Sequence, residues 1–138
     1  MIPPASPPRT VAPGFWPSLF KKILLAAILI PVLLGALYLA VVLNWSYSDG
    51  DRTGFLQKFS RKGWLCKTYE GELAMTTVPG LAPVIWPFSV RMWDDRLPAQ
   101  INGLMGSRVV LHYSEFRNIP TNCFGETSYF VDSVKAAD

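Results

Sequence analysis

The longest apolar run in the chain extends from Ile23 to Leu43, twenty-one residues without a charged side chain. A helix of this length spans about 31 Å, close to the ~30 Å hydrocarbon core of a bilayer. Two lysines precede the run, and Asn44 and Trp45 follow it. A cleavable secretory signal has a shorter apolar region and a small-residue cleavage site, so the pattern predicts an uncleaved transmembrane anchor at residues 21–46.

Beyond the anchor, residues 47–138 change to short alternating segments separated by Gly, Asp and Pro, a pattern typical of a small β-rich domain. Ser48–Asp51 is predicted as a turn, and Gly63 is expected to supply a positive φ in a hairpin. The five predicted strands are Thr53–Ser60, Trp64–Met75, Phe88–Met92, Arg108–Tyr113 and Thr127–Val134.

One short helix is predicted between the third and fourth strands, because apolar residues recur there at helical spacing. Its apolar face contains Leu97, Ile101, Leu104 and Met105. Asp94 or Asp95 is the expected N-cap, and Gly106 is expected to end the helix. Three strands, one helix and two strands form the element order of a five-stranded OB-like barrel. A small mixed sheet with one packed helix has the same order, so that alternative stays open.

The positive net charge lies before the apolar run. Residues 1–20 form a Pro-rich segment predicted to be a flexible tail, and the only charged side chains before Ile23 are those of Arg9, Lys21 and Lys22. From Asn44 onward, ten basic and ten acidic residues balance, which argues against nucleic-acid binding. Basic residues before a first anchor favour a cytoplasmic tail. We therefore expect the C-terminal domain to lie on the side of the membrane opposite the cytoplasm.

Several sequence blocks resemble a family of proteins: YSDGDRTGFLQKFSRKGWLCKTYEGELAM, FSV, RVVLHY and IPTNCFGETSYFV. They are similar to a small family of bacterial single-pass membrane proteins without an assigned activity. Its members often carry the automatic name 6-phosphogluconate dehydrogenase. That activity is not expected here, because no G-x-G-x-x-G motif follows a strand. The resemblance implies a bacterial membrane-tethered domain with no catalytic residues to transfer. With the orientation expected from the charges, this predicts an inner-membrane protein whose C-terminal domain lies in the periplasm. No cofactor is expected.

The two cysteines, Cys66 and Cys123, lie on the same side of the anchor. In an oxidising periplasm they are expected to form a disulfide that closes a loop of more than fifty residues. Two buried thiols or a redox pair are the alternatives. The chain has no C-x-x-C motif, and its single histidine, His112, completes no recognised zinc-ligand spacing.

The Pro- and Gly-broken connection before the third strand is a candidate interaction surface for lipid or a partner protein. Its apolar residues are Val78, Leu81, Val84, Ile85 and Trp86. The alternative, which we prefer, is that this connection folds over an open end of the barrel. Candidate stacking residues for a glycan are Trp64, Tyr69, Tyr113 and Phe116.

We therefore predict a non-enzymatic, membrane-anchored binding or accessory module with a membrane-protein or envelope partner. The alternatives are an envelope enzyme or thiol-redox protein that uses Cys66 and Cys123, and a glycan-binding OB-like module.

Overall fold

The computed structural model describes residues 1–6, 15–75, 78–91, 93 and 95–137. The chain divides into two compact units, Met1–Tyr38 and Leu39–Asp138. Met92, predicted in the third strand, and Asp94, a predicted cap, lie outside the described residues, as do residues 7–14 of the predicted tail.

The first helix, α1, covers Phe15–Asn44 and contains Pro31. It begins inside the predicted tail, because Pro17 lies in its first turn, where the missing N–H costs no hydrogen bond. The segment Pro17–Asn44 is long and apolar enough to cross a membrane, and none of its most apolar stretch is buried. By length and composition, α1 is therefore a candidate membrane anchor or signal sequence.

The domain after α1 contains five strands, with one helix between the third and fourth. Their bounds are β1 Ser48–Lys62, β2 Thr68–Met75, β3 Val84–Val90, α2 Arg96–Gly103, β4 Arg108–Glu115 and β5 Tyr129–Ala136. The strands close into a barrel in the order β1-β2-β3-β5-β4. Among these strands, only β3 and β5 pair in parallel, with Ser89 opposite Phe130 and Val90 opposite Val131. The predicted five-stranded OB-like fold is confirmed.

Strand β1 is long enough to pair with two neighbours. Its first half, Ser48–Phe55, pairs with β4, and its second half, Phe55–Lys62, pairs with β2. A register shift between Leu56 and Lys58 accompanies the change of partner. The predicted turn at Ser48–Asp51 is wrong, because pairing with β4 outweighs the local turn preference of Asp and Gly. The second strand begins at Thr68 rather than Trp64, and Gly63 has the expected positive φ, 119°.

Alternating side chains of the strands fill the barrel with one apolar core. Its buried strand members are Leu56, Leu73, Trp86, Phe88, Val90, Val109, Leu111 and Val131. Leu97 and Ile101 of α2 join the same core, as their helical spacing predicts. Asp95 occupies the N-cap position without a side-chain capping hydrogen bond. Gly106 has a φ of 76° and donates its N–H to the carbonyl of Leu56 at 2.9 Å.

Away from α2, the core includes an arginine surrounded by aromatic rings. The guanidinium carbon of Arg52 lies 4.8, 5.3 and 5.7 Å from the ring centroids of Trp86, Tyr113 and Tyr129. The three rings contact one another at centroid distances of 5.1 to 5.6 Å. Cation–π attraction thus allows a half-buried charge to pack against the core. We call these four side chains the Arg52 cluster.

Candidate functional site

The two cysteines connect loops from different parts of the sequence. Cys66 lies in the loop between β1 and β2, Cys123 lies in the loop between β4 and β5, and the two form a disulfide. Their Cα atoms are 4.9 Å apart, although 57 positions separate them in the sequence. The predicted bridge is confirmed. It holds together two loops that the barrel strands alone do not join.

A groove of about 560 Å³ lies beside the disulfide. We call it the disulfide groove, and its lining residues are Arg61, Leu65, Cys66, Lys67, Trp93, Cys123 and Phe124. Leu65, Trp93 and Phe124 supply apolar surface, while Arg61 and Lys67 supply positive charge. The groove therefore combines apolar contact area with positive charge and suits an amphipathic ligand with a negative group.

A buried carboxylate positions the β4–β5 loop that forms one wall of this groove. Glu70 on β2 is only 6% exposed. It accepts a hydrogen bond from Ser89 Oγ at 2.6 Å and another from the Glu126 backbone N–H at 3.0 Å. The Thr127 N–H in turn donates to Ser89 Oγ at 3.1 Å. These bonds satisfy the buried charge and fix the loop close to Cys123.

Arg91 connects the groove to the last turns of α1, which belong to the second compact unit. Its Nη2 donates a hydrogen bond to the carbonyl oxygen of Leu43 at 2.9 Å. Its guanidinium carbon lies 4.4 Å from the ring centroid of Phe116 and 5.6 Å from that of Trp93. Since Trp93 also lines the groove, the groove lies next to the point where the chain leaves α1.

A second surface lies at the other end of β3. The connection between β2 and β3, together with the first two residues of β3, presents four apolar side chains, each 44% to 64% exposed, which we call the hairpin patch: Val78, Leu81, Val84 and Ile85. Val84 and Ile85 are held by pairing with Met75 and Ala74 of β2. The seven residues of β3 separate the patch from Val90 by about 20 Å. The hairpin patch and Val90 thus lie at opposite ends of β3, and the preference for a connection that folds over the barrel end stays a prediction.

Trp86, the fifth predicted member of that surface, points to the opposite side of β3 from its neighbour Ile85. It is only 5% exposed and belongs to the Arg52 cluster. Side chains alternate along a strand, so exposure of Ile85 places Trp86 in the interior. Trp86 is therefore a core residue and does not belong to an interaction surface.

The four predicted stacking aromatics do not share one face. Tyr113 belongs to the Arg52 cluster, and Tyr69 stacks on Phe59 at a centroid distance of 5.7 Å. Phe116 is 5% exposed, because Arg91 covers its ring, and it is therefore not a surface residue. Only Trp64 is fully exposed. The proposed stacking platform is thus not assembled from these residues.

Titratable side chains on the barrel surface form isolated pairs. His112 Nδ1 lies 2.9 Å from Asp51 Oδ1, and both side chains are exposed. Lys58 Nζ lies 3.1 Å from Glu72 Oε1 across β1 and β2. Within the part of the chain that the structure describes, no three His, Cys, Asp or Glu side chains group in a way that would hold a metal ion.

Comparison with protein families identifies the domain. Residues 45–137 match a family described as a domain of unknown function, DUF8785, and the match covers about two-thirds of the chain. The chain belongs to this family. The matched segment starts immediately after α1, so the DUF8785 domain corresponds to the barrel and its loops. No curated protein sequence matches the chain.

Within the DUF8785 domain, sequence reasoning missed most of the disulfide groove. Leu65, Lys67 and Phe124 are direct neighbours of the two cysteines, so a predicted bridge already implies that they lie together. The sequence gives no such indication for Trp93, because Trp93 comes close to the cysteines only when β3 pairs with β5 and closes the barrel.

Proposed function

We propose that the chain is a non-enzymatic, membrane-anchored accessory module, which presents its DUF8785 domain at the periplasmic face of a bacterial inner membrane and binds a partner protein there. The observation that carries this proposal is the hairpin patch, whose four apolar side chains are each 44% to 64% exposed although the barrel has a closed apolar core. Large apolar side chains exposed together are typical of protein–protein contact sites.

The hairpin patch is suited to binding because its geometry is fixed before a partner arrives. Val84 and Ile85 stand on a strand whose whole length pairs with β2. Side chains held on a paired strand lose less conformational entropy on binding than side chains on a free loop. An anchor in the same chain also confines the domain to the membrane surface, which raises its effective concentration toward a membrane partner.

Two features support the proposed compartment and orientation. The basic residues before the apolar run favour retention of the N-terminal segment in the cytoplasm. The disulfide between Cys66 and Cys123 suits the oxidising periplasm. Protease treatment of intact spheroplasts tests this placement directly. We expect digestion of the domain from outside, and full protection would refute the orientation.

Copurification of the full chain in mild detergent tests partner binding. We expect a reproducible partner that is lost when Leu81 and Ile85 are both changed to Ser. The matched control is Met105→Ser, because Met105 is another exposed apolar residue, 40% exposed, outside the patch. Recovery of a lone monomer, or a partner that both variants retain equally, would refute the proposal. Urea unfolding confirms that each variant is folded.

Thiol–disulfide exchange is a second candidate function, because the disulfide itself forms part of the groove wall. Separate Cys66→Ser and Cys123→Ser variants distinguish the two roles. A structural bridge predicts equal loss of stability in both variants. A redox protein instead predicts loss of thiol exchange with a folded domain when one particular cysteine is replaced.

A further inference from the structure

The most exposed large apolar side chains of the domain are adjacent in the β1–β2 loop. Trp64 and Leu65 have relative exposures of 103% and 98%. The next residue, Cys66, is tied to Cys123, and Gly63 before them adopts a φ of 119°. Trp64 and Leu65, which we call the tip, are therefore preceded by a sharp turn of the chain and followed by a residue that the disulfide fixes. A Trp beside a Leu on a fixed protrusion resembles side chains that sit at a membrane–water interface.

The residues flanking this tip carry positive charge. Arg61 and Lys67 are exposed and line the adjacent groove. Lys62 Nζ lies 3.3 Å from Glu126 Oε2, so the nearby carboxylate of Glu126 already has a basic partner. Anionic lipid headgroups attract exposed Lys and Arg side chains close to the bilayer surface. The charge of the tip region thus complements an anionic membrane.

The tip lies in the part of the domain next to the helix exit. Arg91 binds the carbonyl oxygen of Leu43 and stacks on Trp93, and Trp93 lines the same groove as Leu65. The link between α1 and β1 is only three residues long. The four peptide steps from Asn44 to Ser48 span at most about 14 Å. The link therefore keeps Ser48 close to the end of α1, and the hydrogen bond from Arg91 to Leu43 keeps this part of the domain next to the same helix end.

We infer that Trp64 and Leu65 insert into the interfacial layer of the membrane that holds α1, so that the domain has a second, reversible contact with lipid. This inference rests on the proposed function, because it requires α1 to be a membrane anchor. The contact leaves the hairpin patch, at the far end of β3, available to a partner.

Fluorescence quenching in liposomes tests this contact with the full chain. A variant with Phe in place of Trp16, Trp45 and Trp93 retains Trp64 and the buried Trp86. It is reconstituted in phosphatidylcholine–phosphatidylglycerol vesicles with or without bromine on the acyl chains, since bromine quenches only nearby indoles. We expect brominated lipid to remove most of the Trp64 emission. The matched control adds Trp64→Phe, and its remaining emission should be unaffected.

An alkaline carbonate wash of the same vesicles separates failure of the inference from failure of the proposed function. A chain that resists extraction but shows unquenched Trp64 emission overturns the lipid contact and leaves the anchor intact. A chain that the wash removes overturns the anchor, and the inference with it.

Changing Arg61 and Lys67 to Glu should reduce the quenching, and quenching identical to that of the parent would refute the role of charge. The Trp86 emission and the absence of free thiols verify folding in each sample.

Discussion

Replacing both Cys66 and Cys123 with Ala should weaken the domain without abolishing its fold. The bridge joins positions 57 residues apart. In the chain-entropy treatment, a loop of this size constrains the unfolded chain by about 4 kcal/mol, or roughly a thousandfold in the ratio of folded to unfolded protein. For a domain of this size, that corresponds to a fall in Tm of about 15 to 30 °C. The barrel should still form, because Glu70 holds the β4–β5 loop through hydrogen bonds that do not involve the disulfide.

Urea unfolding of the full chain in mild detergent measures this loss. Fluorescence is the suitable signal, because Trp86 is buried in the barrel, whereas far-UV circular dichroism would be dominated by α1. The double variant and the reduced native chain should unfold at the same urea concentration, well below that of the oxidised chain. A loss smaller than about 1 kcal/mol, or a reduced chain as stable as the oxidised one, would refute the argument that the bridge constrains the unfolded state.

Three substitutions in the barrel should also lower the free energy of unfolding in the same assay. Gly71→Ala should cost about 1 to 3 kcal/mol, because the added methyl group would overlap the fully buried ring of Phe88. Glu70→Ala should cost about 3 kcal/mol, because it removes the charged acceptor of two hydrogen bonds. Arg52→Gln should cost about 1 to 2 kcal/mol, because it removes the cation from three aromatic rings.

Each of these variants has a matched control in the chain. Gly103→Ala should be tolerated, because an added Cβ there has no neighbour within 4 Å. Glu72→Ala removes only an exposed ion pair, which is worth little in water. Arg52→Lys keeps the charge and should restore part of the stability. Controls as unstable as the test variants would show that the named contacts are not the cause.

Local patterns predicted the order of the elements, because alternation in strands such as β4 follows directly from which side chains are buried. They failed at Ser48–Asp51, where a Gly-Asp sequence typical of turns is held as strand by residues more than sixty positions away. Local patterns could not predict the burial of Glu70 either, because its partners Ser89 and Glu126 lie 19 and 56 residues further along the chain.

The closure of the barrel also limits how a partner can be recognised. Every strand has two hydrogen-bonded neighbours, but β3 pairs with β5 only at Ser89 and Val90, which leaves the segment 84–88 of β3 beyond that pairing. Pro87 lies in that segment and supplies no N–H, which makes it a poor template for an added strand. A peptide therefore cannot readily extend the sheet along β3. Recognition at this edge must rely on side chains, and the same proline disfavours edge-to-edge aggregation of domains through β3.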